Sequence, residues 1–463
     1  GHMAVGALKH GALVIDTIYG RLQHVDDRLH FAATVHNDKR KNPNPFTATF
    51  ESSLLSHGVK AELAFTDANN KRGLQVGAEV EMEDGGTRIH LTPEKAIVAY
   101  REFTINPENF VFWGDDRRLR ANVNLLADDG TSLSLHGEEA DSTYKNNISV
   151  VVNHLNLGEL ASVVPYLPPI SGELNADFHI VEQNNQFAAV GTAEAKKFGY
   201  QGVVMGDLGG ELSYQPTEDG NHHAETFVTF NGKEIAEAVG TYFAKDEGSF
   251  AGKVKLKSLP MNMMDAFLEG TQTKMKGALN GELAVQGTAD KPVVNGSLSF
   301  DKAHIYSNVY GVDLTMDTTT VSIHNSVLEL KDFALTAVDG SPLKMSGIIN
   351  MERPDATFLN LDMIAKKFPI IDTKRKRESL VYGKVLTNFA ANINGTPDKL
   401  NVRGLLTVLD KTDVTYLLSN SPISSSGELS DLVTFTDFSD TLVVEKAVAQ
   451  QNSSSLNVAL TIR

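Results

Sequence analysis

Cysteine is absent from the sequence, which excludes disulfides, zinc–thiolate sites, iron–sulfur clusters and thiol nucleophiles. Tryptophan occurs once, at Trp113, and aromatic residues make up 7% of the chain. That is a sparse supply for the aromatic platforms of a glycan-binding surface. Basic residues are outnumbered: 42 Lys and Arg against 58 Asp and Glu leave a net charge of −16. A nucleic-acid binder working through a general basic surface is therefore excluded. Long apolar runs are missing as well. The most tempting charge-free stretch, Leu160 to Gly172, contains Pro165, Pro168 and Pro169, and a spanning helix needs about 20 apolar residues. The chain reads as soluble, with any membrane anchor lying outside it. Gly1-His2-Met3 reads as an expression scar, and no signal peptide follows. There is no HExxH, no phosphate-cradling GxxxxGK[ST] and no GxSxG elbow.

What is present is alternation at period two. Gly172 to Ile180 puts Leu174, Ala176, Phe178 and Ile180 on one face and Glu173, Asn175, Asp177 and His179 on the other. Leu279, Leu283 and Val285 follow the same rule, as do Val385, Phe389 and Ile393, and Leu74, Val76, Ala78, Val80 and Met82. This is the pattern of half-buried β-strands. Asp84-Gly85-Gly86, Asp128-Asp129-Gly130, Glu218-Asp219-Gly220 and Asp339-Gly340 supply hairpin turns between runs. An all-β antiparallel meander is predicted, with roughly 30 strands at about 15 residues per strand and turn. Helix is expected in under about a tenth of the chain, at 155–167 and at 261–268 behind Pro260.

The pattern repeats. Gly172 and Gly277 each open a strand 105 residues apart, and Gly191 and Gly296 keep the same offset. A third copy begins at Gly383. There Gly395-Thr396-Pro397-Asp398-Lys399 matches Gly287-Thr288-Ala289-Asp290-Lys291 at an offset of 108. Length suggests about three domains. The segments read as 4–150, 151–258, 259–380 and a partial copy at 381–463.

The short apolar helix at Leu155–Leu167, the strand opening Ser171-Gly172-Glu173-Leu174 and the hairpin from Gly287-Thr288 through Pro292 to Gly296 together resemble the TamB/AsmA-like family of bacterial envelope proteins. Lys411 to Tyr416 and Leu432 to Phe438 resemble C-terminal portions of TamB-type proteins. The copy at Gly191-Thr192 lacks the Asp-Lys-Pro of the motif. The resemblance covers about residues 150–440. It implies an elongated sheet curled lengthwise into an apolar groove, a β-taco, with one or two short plug helices. It also implies a periplasmic location, an inner-membrane anchor upstream and a BamA/TamA-like outer-membrane barrel as partner. The implied task is carrying phospholipid between membranes or assisting outer-membrane protein assembly, without catalysis, metal or cofactor.

Leu174, Phe178, Ile180, Leu279, Leu283, Val285, Val385, Phe389 and Ile393 are the candidate groove lining. Periodicity alone fits a closed β-core; the resemblance turns the same residues toward acyl chains. Carrying a bare 16-carbon tail through water costs on the order of 13 kcal/mol, which an apolar trough removes. Asp115-Asp116 and Asp128-Asp129 offer paired carboxylates for hydrolysis, but neighbours on a strand point to opposite faces, and turn residues are the ordinary reading. A β-helical polysaccharide enzyme is further disfavoured by a period of 105 residues. His24, His30, His36 and His222-His223 lack the spacing of zinc ligands. Lys39-Arg40-Lys41 and Lys374-Arg375-Lys376-Arg377 suit anionic headgroups or plain solvated loops. The competing architecture is an adhesin or glycan-binding module of tandem β-sandwiches, each near 100 residues with its own closed core.

Overall fold

Nearly every alternating stretch forms a strand in the computed structural model of the chain, which is 77% strand and 4% helix. The structure describes all residues except 11–12, 26–27, 39–44, 138–143, 165–166, 245–247, 269–272, 354–355, 376–380, 398, 417–454 and 463. Two units are distinguished, Gly1–Leu259 and Pro260–Arg463.

The first unit opens with β1 (His2–His10), β2 (Leu13–Val25), β3 (Arg28–Asn37), β4 (Phe46–Leu54), β5 (Gly58–Asp67) and β6 (Arg72–Glu83). It continues with β7 (Gly86–Val98), β8 (Arg101–Ile105), β9 (Phe110–Gly114), β10 (Leu119–Leu126), β11 (Ser132–Gly137) and β12 (Asn146–Asn156). Helix α1 (Leu157–Val163) follows, then β13 (Ile170–Gln183), β14 (Gln186–Tyr200), β15 (Val203–Pro216), β16 (His222–Phe230), β17 (Lys233–Phe243) and β18 (Ser249–Pro260). Antiparallel pairing runs from strand to strand along this order. It forks once, where β8 and β9 both lie between β7 and β10. His2 and Met3, read as a scar, lie in β1.

The second unit starts with a 3-10 helix (Met261–Phe267), then β19 (Thr273–Thr288), β20 (Lys291–Ser307), β21 (Val312–Met316), β22 (Val321–His324) and β23 (Val327–Ala337). It ends with β24 (Pro342–Asn350), β25 (Phe358–Thr373), β26 (Val381–Thr396), β27 (Lys399–Val408), β28 (Asp413–Tyr416) and β29 (Ser455–Ile462). These pair antiparallel, but the meander forks where β21 and β22 both lie between β20 and β23, and again where β27 and β28 both pair with β26; β29 lies parallel to β27. A parallel neighbour cannot be reached by a hairpin, and here the chain between the two includes β28 and then the stretch 417–454; that stretch holds the Leu432–Phe438 motif and lies outside the described residues.

Bulges bend these ladders. His154, Lys197, Asp332 and Lys367 adopt φ of 55°, 49°, 52° and 52°. Each bulged N–H donates to a side chain on the neighbouring strand: Asn175 Oδ1 at 2.9 Å, Asp207 Oδ1 at 2.7 Å, Ser346 Oγ at 3.0 Å and Asn388 Oδ1 at 2.8 Å. An extra residue bends the strand and raises its twist, and the borrowed acceptor removes the unpaired donor that would otherwise penalise it. In the second unit the bending brings the β20–β21 turn back to β25, although β23 and β24 separate β21 from β25 in the ladder: Asp372 N–H donates to Tyr310 C=O at 2.8 Å. Inside that curl, Phe300 meets Phe333 at 5.6 Å and Phe368 meets Phe389 at 6.1 Å.

The helices are shorter than the sequence suggests. Leu155 and Asn156 stay in β12, paired to Leu174 and Glu173. Asn156 then caps α1 by accepting from Glu159 N–H at 3.0 Å. The segment behind Pro260 is 3-10, with no side-chain cap, which suits a single short turn.

Candidate functional site: a continuous apolar face

Residues directly opposite in a ladder share a face, so register traces a face across strands. In the first unit one row runs Leu54, Val59, Val80, Ile89, Val111, Ala121 and Gly137, from β4 to β11. It continues through Ile148, Ile180, Ala189, Tyr214, Ala224, Gly240 and Gly252, from β12 to β18. No member is charged, and Tyr214 carries the row's single hydroxyl. Thirteen strand-to-strand steps at about 4.8 Å each make a path of about 60 Å along the sheet.

Ile180 is in this row. Phe178 and Leu174 flank it on the same strand and face, and all three are half-buried. Phe178 is opposite Val150 and the gap at Gly191; a Cβ at residue 191 would stand 2.1 Å from the Phe178 ring. Toward the hairpin end, Tyr214 stacks on His222 at 5.3 Å, with Tyr242 beyond it at 6.2 Å from His222. Burial, helped by the neighbouring Tyr242, pushes the Tyr214 hydroxyl above the usual tyrosine range, so it stays a neutral donor.

In the second unit the corresponding row is Leu283, Gly296, Ile323, Leu328, Ile349, Leu359, Gly395 and Leu400. It places Leu279, Leu283 and Val285 of β19 on the same face as Val385, Phe389 and Ile393 of β26. Between them lies a cluster that includes Leu330, Phe333, Leu361, Ala365 and Phe368, with Phe389 packed against it. Val385 is buried; the other five candidates are half-buried.

Helix α1 plugs the first unit's apolar face. Its Leu160 and Val163 pack with Phe46, Phe65 and Leu74, residues that share a face with Leu54, Val59 and Val80. Arg101 at the head of β8 holds it there. Its Nε donates to Glu159 Oε2 at 2.7 Å and a terminal nitrogen donates to Thr131 Oγ1 at 3.0 Å, while Asp129 completes the pairing. Thr131, fully buried, donates onward to His154 C=O at 3.3 Å. Charge-assisted bonds of this kind contribute about 1.5–3 kcal/mol. Arg101→Ala is therefore expected to speed amide hydrogen exchange in 157–163 by one to two orders of magnitude. Exchange in β14 to β17 should not change, and unchanged exchange in α1 would show that apolar packing alone seats it.

The other candidates are dispersed. Asp115 and Asp116 sit in the β9–β10 turn, where Asp116 accepts from Arg118 N–H at 3.1 Å. Asp129 is engaged by Arg101 instead, outside that turn. His30 and His36 meet Ser53 and Thr47 at 2.8 and 2.9 Å, and His223 meets Glu225 at 3.1 Å. Arg375 lies over the Tyr382 ring at 5.7 Å. Lys39-Arg40-Lys41 and Lys376-Arg377 lie outside the described residues. No protein-family model, no curated protein and no solved structure matches the chain.

Proposed function

We propose that this protein is a non-catalytic lipid carrier of the TamB/AsmA type, whose apolar face accommodates phospholipid acyl chains while headgroups stay in water. The observation that carries the reading is the uncharged row that crosses fourteen strands of the first unit in unbroken register. A closed β-core would bury such a stripe, whereas Leu174 and Phe178 beside it stay half-buried. An acyl chain gains from such a stripe, since each exposed methylene costs about 0.8 kcal/mol. In this reading the chain works in the periplasm, anchored through a segment outside it, and hands lipid or outer-membrane proteins to a BamA/TamA-like barrel. The tandem-sandwich alternative requires ladders that close into separate cores every hundred residues or so, whereas β1 to β18 are joined pair by pair.

Native mass spectrometry of the purified chain, with lipid extraction from the same sample, tests this. Co-purified phospholipid is expected, and Phe178→Asp with Phe389→Asp should reduce it at least tenfold at an unchanged far-ultraviolet circular dichroism spectrum. A lipid-free mass for the unsubstituted protein, or lipid retained in full by the double variant, would overturn the proposal.

A further inference from the structure

The wet face of the first unit carries its own concavity, on the side away from the apolar row. A depression of about 860 Å³ opens across β13 to β17, lined by Asp177, Val190, Glu211, Glu225, Phe227 and Val239 among others. The apolar members are out of place. On an alternating strand this face should be polar throughout, yet Val190 is 51% exposed, Phe227 38% and Val239 39%. Phe227 lies between Glu211 on β15 and Glu237 on β17, its direct ladder partners, with Glu225 two residues along its own strand. Lys257 pairs with Glu234 and Glu237. No cation among the described residues pairs with Asp177 or Glu211.

We propose that this depression docks a basic, partly apolar segment of a partner protein. Exposed apolar side chains set in a concave surface mark contact sites, and here the rim selects the partner by charge. Carboxylates lining a cleft with low-dielectric walls focus a negative potential. An aromatic ring flanked by carboxylates suits a lysine or arginine head, which gains from the ring face and from the acids together. Apolar residues of the same segment would lie on Val190 and Val239. Lys253 and Lys255 on β18, opposite Val239 and Glu237, border one side. The acid excess lies on the β13 to β16 side, at Asp177, Glu211 and Glu225, and it is that side which repels phosphate headgroups and attracts a cationic side chain. A phenyl ring at the centre, with no convergent set of metal donors among the described residues, rejects a divalent cation. This inference does not depend on the lipid reading, because it uses the opposite face.

Fluorescence anisotropy of the full chain with a fluorescein-labelled nonapeptide alternating lysine and valine tests it. Saturable binding is expected, weakening as salt rises. Phe227→Ser and Glu211→Lys should each weaken it at least tenfold; Glu211→Gln, which keeps the shape, should weaken it several-fold. Glu108→Lys, in the exposed turn before β9, should change it less than twofold. An equal loss in Glu108→Lys would mean diffuse attraction to an acidic chain. A loss in Phe178→Asp but not in Phe227→Ser would mean that the peptide occupies the apolar face. Either result, or no binding, overturns the proposal.

Discussion

Phe103→Ala is expected to remove about 3–5 kcal/mol of stability, the range for emptying a fully packed aromatic site. Phe103 on β8 has no solvent exposure. It faces Ala96 across the ladder, itself wholly buried, and packs with Ile105, Val123 and Leu125. The small partner makes the room that the ring fills, so its loss leaves a space no neighbouring side chain reaches without moving backbone. Strand β8 has little freedom to collapse, since it is held on one side by β7 and on the other by β10. Urea unfolding gives the magnitude, and hydrogen exchange gives the place: protection should fall first in β7 to β11. A loss under about 1 kcal/mol would show that the cluster closes over the space. The effect bears on function because Ile89, Val111 and Ala121, three consecutive members of the apolar row, lie on the same strands.

How far the sequence disclosed this arrangement depends on which interactions set each part. The alternation in β6, β13, β19 and β26 was legible because one face of a strand is decided locally, residue by residue. The hairpins were legible for the same reason: Asp84-Gly85, Glu218-Asp219-Gly220 and Asp339-Gly340 each occupy a turn between paired strands. The continuity of the row was not. It needs register, and register depends on bulges such as those at Lys197 and Lys367, which exist because Asp207 and Asn388 on the next strand accept their N–H groups. Nothing near Arg101 in sequence marks it either, since Asp129 and Glu159 reach it only after β10 and α1 have formed. Helix α1 is short of its expected span because ladder bonds hold Leu155 and Asn156 in β12. The apolar residues on the wet face, Phe227 above all, break the alternation in plain view and were the available signal for the acidic depression.

Gly277→Ala is expected to be markedly more damaging than Gly85→Ala, although both glycines have φ of +91°. An L-residue in that region costs about 1–2 kcal/mol, and both variants incur it. Gly85 sits at a hairpin tip, where an added Cβ meets nothing within 4 Å. At Gly277 the same Cβ would stand 2.3 Å from Lys302 C=O and 2.6 Å from Ala303 Cα. Those are backbone atoms of the paired strand β20, and they cannot swing aside as a side chain does. Relieving the clash means separating two strands, so about 1–3 kcal/mol should be added. The glycines that open the other copies are built alike: Gly172 and Gly383 have φ of +126° and +116°, with Lys196 C=O and Asp413 C=O at 2.8 and 2.2 Å from the Cβ position. One backbone kink, pressed against the neighbouring strand, therefore stands at the start of each repeat. Chemical denaturation of the two variants separates the two causes. Equal losses would mean that the strands part easily and the repeated glycine serves conformation alone. A larger loss at Gly277 would mean that close strand approach at the kink is what the repeat preserves, and with it the register on which the second unit's apolar row depends.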